Sequence, residues 1–290
     1  MTAQARYRQI GIVGTGRAAQ ALALGLAPHS AGPPMMWGRS EENLRRAVGR
    51  IGTAIAVPHR HLLAGACDLV VLAISDDAIA GIAADLAREM GRTDGRFVFH
   101  ISGRSGAGIL APLRASGART AAIHPAMTFT GDPPGEVARM TAAHFAITGS
   151  TPEATEEARA IVALLGGRAA EVAEAYRPIY HAALSHASNH LVTLIAGASH
   201  ALRIAGVDAP TALLAPLVRA SLENSLADGF AALSGPLLRG DAQTIAGHLA
   251  ALEAHDPGLL PAYRAMARAT LDELDREGSP PASALRAVLD

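Results

Sequence analysis

Gly14-Thr15-Gly16-Arg17-Ala18-Ala19 reads G-x-G-x-x-A, directly after the apolar run Ile10–Val13 and at the head of an alanine- and leucine-rich segment. In a strand–turn–helix setting each small residue has a purpose. Gly14 permits the tight turn, Gly16 lets the backbone approach a pyrophosphate, and Ala19 lets helix and strand pack closely. The pyrophosphate would rest on the helix N-terminus, where free N–H groups and the helix dipole favour an anion, with Thr15, Arg17 and Ala18 completing the seat. The next apolar run ends in Trp37-Gly38-Arg39-Ser40, with no acid before Glu41. NAD needs an acid there to bond the ribose 2′-hydroxyl. A guanidinium fork on Arg39 and a hydroxyl on Ser40 suit a 2′-phosphate instead, so the expected cofactor is NADP.

Ligands of such sheets lie outside the carboxyl ends of the strands. Three further segments fall there: Ser75-Asp76-Asp77, His100-Ile101-Ser102-Gly103 and His124-Pro125. Ser75 or Asp76 can cap the helix that follows, line the cofactor pocket, or both. Ser102 offers a hydroxyl and Gly103 a backbone N–H to a carbonyl or carboxylate. His100 and His124 end two strands on one edge, where at least one can serve a substrate. Far along the chain, His181, Ser185, Ser188 and Asn189 fall on one face of a long apolar helix. A polar stripe there costs about 1–3 kcal/mol per unsatisfied group unless it is paired or faces a cleft. His186 and His190 form a second i, i+4 pair, but no carboxylate accompanies them at metal-site spacing, so no metal is expected. Arg239, in the loop before Asp241, can clamp a substrate carboxylate or pair with a nearby acid.

These residues need a scaffold that carries them to one place. Short apolar runs at Gln9–Val13, Met35–Trp37, Thr53–Ala56, Leu69–Ile74, Arg96–His100 and Thr120–His124 alternate with helix-length segments. Two more runs, His144–Thr148 and Ala169–Val172, flank the helix Thr155–Leu165. Strands alternating with helices imply right-handed crossovers and a mostly parallel, doubly wound α/β sheet of Rossmann type. From Ala175 onward only helices are expected: Tyr180–Ile204, Pro210–Phe230, Ala242–Ala254 and Leu260–Arg276. The chain therefore reads as a cofactor-binding domain over 1–174 and an all-helical substrate and dimerisation domain over 175–290. Composition excludes other classes. A formal charge of −1 and 3% aromatics give neither a basic field nor stacking platforms for nucleic acid. One cysteine excludes an internal disulfide, and the absence of lysine excludes Schiff-base chemistry and a lysine acid. Met1–Gln9 is too short and polar for a leader, and no apolar run approaches about 20 residues, so a cytoplasmic protein is expected.

A G-x-G-x-x-A sheet followed by a long helix entering a helical half resembles the 6-phosphogluconate-dehydrogenase-like superfamily. That group includes pyrroline-5-carboxylate reductase, ketopantoate reductase and deazaflavin:NADP oxidoreductase. More closely, the chain resembles the family that joins a Rossmann-like domain to domain of unknown function 2520. The shared strings are Ser75-Asp76-Asp77-Ala78-Ile79, His100-Ile101-Ser102-Gly103, His124-Pro125 with Phe129, Tyr180-His181-Ala182-Ala183, Ala187-Ser188-Asn189, and Ser234-Gly235-Pro236 with Arg239-Gly240-Asp241. The resemblance implies an NADP-dependent oxidoreductase passing hydride to a C=O or C=N carbon of a small acid, with a ketopantoate-like oxo acid first and a cyclic imine acid next. The superfamily's hydroxyacid dehydrogenases use a lysine four residues before an asparagine on this helix. Asn189 matches the asparagine, but Ser185 stands at the lysine position and cannot be the acid. Histidine, which titrates near 6.5 when unperturbed, is the substitute. His181 comes first, then His124, then Tyr180, with Asn189 and Ser102 placing the acceptor and His100, Gly103, Ser185 and Arg239 lining it. A non-catalytic NADP-binding sensor is the rival reading. The apolar helical half implies a homodimer.

Overall fold

The computed structural model describes residues 6–93, 95–279 and 283–290. The first five residues of Met1–Gln9 lie outside them. By internal contacts the chain forms two compact units, Met1–Ser185 and His186–Asp290, so the first turns of the long helix go with the sheet.

In the first unit, strands β1 (Ile10–Val13), β2 (Met35–Trp37), β3 (Ile55–Ala56), β4 (Leu69–Leu72), β5 (Phe97–His100), β6 (Arg119–Pro125), β7 (His144–Gly149) and β8 (Arg168–Glu171) form one sheet in the order β3-β2-β1-β4-β5-β6-β7-β8. Every pair is parallel except β6 with β7. The central strands β1, β4 and β5 are buried along their whole length, which is why they read as unbroken apolar runs rather than alternating ones. The strand order reverses at β1/β4, so the ligand crevice lies above the carboxyl ends of those strands.

Helices α1 (Arg17–Leu26), α2 (Glu41–Ile51), α3 (His61–Ala66), α4 (Asp76–Met90), α5 (Ala111–Ala115), α6 (Pro133–Met140) and α7 (Pro152–Leu164) connect the strands, and α8 (Arg177–Ile204) leaves the sheet. Two buried clusters, one on each face of the sheet, form the core. One holds Leu22, Leu26, Phe99 and Phe145, the other Leu63, Ile79, Leu86 and Leu113. The Ser40 hydroxyl accepts the Asn43 N–H and starts α2, and Gly52 (φ 73°) ends it. Ser75 occupies the first cap position of α4, but its hydroxyl makes no capping bond.

The second unit holds α9 (Pro210–Asp228), α10 (Pro236–Arg239), α11 (Ala242–His255), α12 (Leu260–Arg276) and α13 (Ser283–Leu289). Its core is confined to α11–α13, through Ile245, Leu249, Leu271, Leu274, Leu285 and Leu289. The α8–α9 part is open: Val192 is 68% exposed, Leu217 61% and Leu226 79%. A groove lined by Leu191, Leu194, Ile195, Leu214, Val218 and Leu222 runs between these two helices. No helix among the described residues is long and apolar enough to cross a membrane.

Candidate functional site

The two glycines of the turn after β1 answer to different constraints. Gly14 sits at φ 128°, and a Cβ there would lie 2.1 Å from the Ala73 carbonyl oxygen, so the fold itself demands glycine. Gly16 has φ −69° and ψ 176°, open to any residue, and a Cβ there would meet nothing within 4 Å. Its missing side chain leaves room for something outside the protein. Gly16 is also the cap residue of α1, with no side-chain acceptor on the first N–H groups of that helix. Those free donors face an anion's natural seat.

Around this turn lies a pocket of about 520 Å³ lined by Gly14, Gly16, Trp37, Arg39, Ser75 and Ile82 among others. The sequence placed Gly14, Thr15, Gly16, Arg39 and Ser75 at the cofactor, and the structure brings these five to one cavity. Gly38 closes the floor, since a Cβ on it would lie 2.5 Å from the Thr15 methyl group. Arg39 and Ser40 are both exposed beside it. Arg17 points elsewhere, donating to the Phe129 carbonyl at 3.3 Å. Ala18 is half-buried in the first turn of α1. Asp76 pairs with Arg104 at 3.2 Å, so its carboxylate is braced by the loop after β5.

The second cluster stands at the ends of β5 and β6 and on the first turns of α8, all within the first unit. His124 Nδ1 is 2.9 Å from the Tyr180 hydroxyl. The His124 and His181 rings meet edge to face at 5.8 Å between centroids. Gly103 is wedged against both: a Cβ there would lie 2.5 Å from His181 Cδ2 and 3.0 Å from His124 Nε2. Burial, reinforced by the neighbouring His181 and by Arg177, lowers the His124 pKa to about 4. The ring is therefore neutral at neutral pH, with one nitrogen accepting and one donating. Burial pushes the Tyr180 phenol up, so it too stays protonated within hydrogen-bond distance of His124 Nδ1.

His100 departs from expectation. It is completely buried, its Nε2–H donates to the Gly106 carbonyl at 2.9 Å, and its Nδ1 accepts the Ser102 N–H at 3.1 Å. Burial lowers its pKa to about 4. With both nitrogens spent inside the protein, the expected contact with substrate gives way to a structural one: His100 shapes the loop that carries Gly103. Ser102 is 3% exposed, and its hydroxyl accepts the Ser105 N–H at 3.2 Å.

Arg177 was missed by sequence reasoning, and it holds the cluster together. The guanidinium is 0% exposed, and among the described residues it has no ion-pair partner, although the Glu174 carboxylate is near enough to favour its charge. It donates to Thr148 Oγ1 (2.9 Å), to the Ser102 carbonyl (2.9 Å) and to the carbonyls of Ala122 (3.2 Å) and Ala146 (2.9 Å). One side chain thus ties β6, β7 and the loop after β5 to the start of α8. Burial lowers even its pKa, to about 10. Because helix neighbours lie three and four residues apart, pinning position 177 also sets the facing of Tyr180 and His181.

Ser185, half-buried, lies one turn beyond His181 on α8. Asn189 and Arg239 belong to the second unit. Asn189 is exposed, and its carbonyl accepts the Thr193 hydroxyl. Arg239 is paired with Asp241 at 2.9 Å; of the two partners that its loop position allowed, the nearby acid is the one it meets here. His186 and His190 face each other at 2.9 Å between Nδ1 atoms. Among the described residues no three metal-ligating side chains come together.

Comparison with known proteins finds two domain models that match. Residues 2–125 match the model of a Rossmann-like domain, and residues 143–270 match that of domain of unknown function 2520 (DUF2520). The two matches lie one after the other and together cover most of the chain. No curated protein matches it. Among solved structures, it resembles a Bacteroides fragilis protein described as an NADP oxidoreductase, with 20% identity, TM-score 0.72, and 91% of this chain and 97% of that one covered. It also resembles the Aspergillus terreus reductive aminase in complex with NADPH and ethyl-5-oxohexanoate, with 17% identity, TM-score 0.69, and 96% and 97% covered. A third is the Plasmodium falciparum pyrroline carboxylate reductase with NADP bound, with 16% identity, TM-score 0.59, and 95% and 98% covered. At these identities the likeness is one of fold.

Proposed function

We propose that this chain is an NADP-dependent oxidoreductase that passes hydride between the cofactor and a C=O or C=N carbon of a small acid. The observation that carries the reading is Gly16: its backbone suits any residue, yet its missing Cβ leaves open space at an uncapped helix N-terminus. Such a cradle fits a pyrophosphate. Arg39 and Ser40 stand where an NAD-type acid is lacking, and three structural neighbours carry NADP or oxidoreductase chemistry in their descriptions.

When bound, the cofactor supplies or takes the hydride. The chain's own residues handle the proton. His124 is held neutral and aligned by Tyr180, so it does not serve as the cationic acid at neutral pH. His181, beside it on the first turns of α8, is the proton donor to the acceptor oxygen or nitrogen. His124 and the Gly103 backbone set its position. Two neighbours are named for C=N chemistry, so cyclic imine acids stand beside ketopantoate-like oxo acids as substrates. Oxidation of NADPH by the purified protein against a panel of oxo acids, aldehydes and imines tests this. A protein that binds NADPH and turns over no member would be the sensor instead.

The functional protein is a homodimer in this reading. The core of the second unit excludes α8 and α9, whose leucines line an open groove. A second copy of the same chain supplies the missing apolar face. Light scattering at micromolar concentration should give twice the chain mass, and a monomer mass would refute it.

A further inference from the structure

Glu174 stands in the short 3-10 turn Glu174–Tyr176, directly before α8. Both of its carboxylate oxygens accept the Gly108 N–H, at 2.9 and 3.2 Å. Two glycines make room for it. A Cβ on Gly106 would lie 2.5 Å from Glu174 Cγ and Cδ, and one on Gly108 would lie 2.4 Å from Glu174 Oε1. Neither glycine stands at a positive φ. The backbone at both suits any residue, so it is the carboxylate that keeps these positions small. The same loop is tied elsewhere along its length. Arg177, three residues after Glu174, donates to the Ser102 carbonyl, and His100 donates to the Gly106 carbonyl. The head of α8 thus presents a cation to one end of residues 102–108 and an anion to the other. Between them lies Gly103, the residue wedged against His181 and His124.

We propose that Glu174 is a positioning residue of the His124–His181 pair. Its carboxylate fixes the 108 end of the loop to the head of α8, as Arg177 fixes the 102 end, so that Gly103 and the two rings keep one arrangement. The proposal rests on the reading of His181 as proton donor. Without Glu174 the far end of the loop depends on the one His100 bond at Gly106. A shift there reaches His181 through the close contact at Gly103. Proton transfer is sensitive to such shifts, since a misplacement of about 1 Å costs about 100-fold in rate.

The test compares wild type with Glu174→Ala, Glu174→Gln, Gly108→Ala and the Glu174→Ala/Gly108→Ala double variant, each first taken through a melting curve and an NADPH titration. Nuclear magnetic resonance of the histidine rings then reads their placement without any substrate. In Glu174→Ala the ring signals of His124 and His181 should leave their wild-type positions, while that of His29, which meets the Leu164 carbonyl, stays. Glu174→Gln keeps an acceptor oxygen for Gly108 and should keep the wild-type signals. Gly108→Ala drives a methyl group onto Glu174 and should lower the melting temperature. That loss should vanish in the Glu174→Ala background, where the closest contact is gone. Once a substrate is in hand, kcat should fall about 100-fold in Glu174→Ala, with the KM for NADPH unchanged, and recover in Glu174→Gln. Unmoved His124 and His181 signals in Glu174→Ala overturn the proposal. So does a Glu174→Gln protein that behaves like Glu174→Ala, which would assign the effect to the charge near Arg177. Moved signals together with full turnover in His181→Ala overturn the proton-donor reading and leave the placement standing.

Discussion

Replacing Gly16 by valine separates the cofactor seat from the fold. The backbone at Gly16 (φ −69°, ψ 176°) suits a β-branched residue, and a Cβ there meets no protein atom within 4 Å. The only intrinsic cost is a poorer cap for α1, about 1 kcal/mol. For a unit of this size that lowers the melting temperature by about 2–4 °C. Ligand binding is a larger signal. NADPH at 100 times its dissociation constant stabilises the wild type by about 2.7 kcal/mol, an upward shift of about 5–11 °C. The valine variant should show none of that shift, because its side chain fills the space that the pyrophosphate needs. Gly14→Ala is the contrast. With φ 128° and a Cβ 2.1 Å from the Ala73 carbonyl oxygen, it should melt well below the wild type even without cofactor. The assay is a melting curve with and without NADPH for all three proteins. A Gly16→Val protein that keeps the full NADPH shift would refute the pyrophosphate seat.

Once a substrate is found, His181→Ala should lower turnover by about 10²-fold or more while NADPH affinity stays within a few-fold, as loss of a general acid requires; full turnover in this variant, with loss in His124→Ala, would move the proton to the strand edge. Arg177→Met should cost about 3–5 kcal/mol, since each buried carbonyl stripped of its donor costs about 1–3 kcal/mol, and chemical denaturation that finds less than 1 kcal/mol would contradict the bonding described. Acid should destabilise the first unit: His100 and His124 titrate near 4 when folded and near 6.5 when unfolded, so the unfolded chain binds more protons between those values. Stability present above pH 6.5 should therefore fall as pH drops towards 4, by up to about 1.4 kcal/mol per pH unit for each histidine, and the slope should halve in His124→Phe.

The legible parts of this molecule are those whose cause is local. Buried parallel strands have no wet face, so Leu69–Leu72 and Phe97–His100 show as apolar runs, and all eight strands fall within two or three residues of their expected ends. The antiparallel pairing of β6 with β7 was not legible, because a strand's apolar pattern carries no mark of its direction. The short helices α3, α5 and α6 were missed for a related reason: five to eight residues make too few turns to show a period. The site divides along the same line. Gly14 and Gly16 were legible because the motif states what a backbone must do. The roles of His100 and Arg177 were not, because they depend on which carbonyls surround them. A strand-end histidine looks the same in sequence whether its nitrogens face a cleft or, as at His100, the Gly106 carbonyl and the Ser102 N–H. An arginine at the head of a helix reads as a solvated charge until residues 102, 122, 146 and 148 are brought to it from three separate strands and loops. The sequence signal for Arg177 was indirect. A polar stripe at 181 and 185 has to be aimed by something at the start of its helix, and only position 177 lies one turn before His181 on that face.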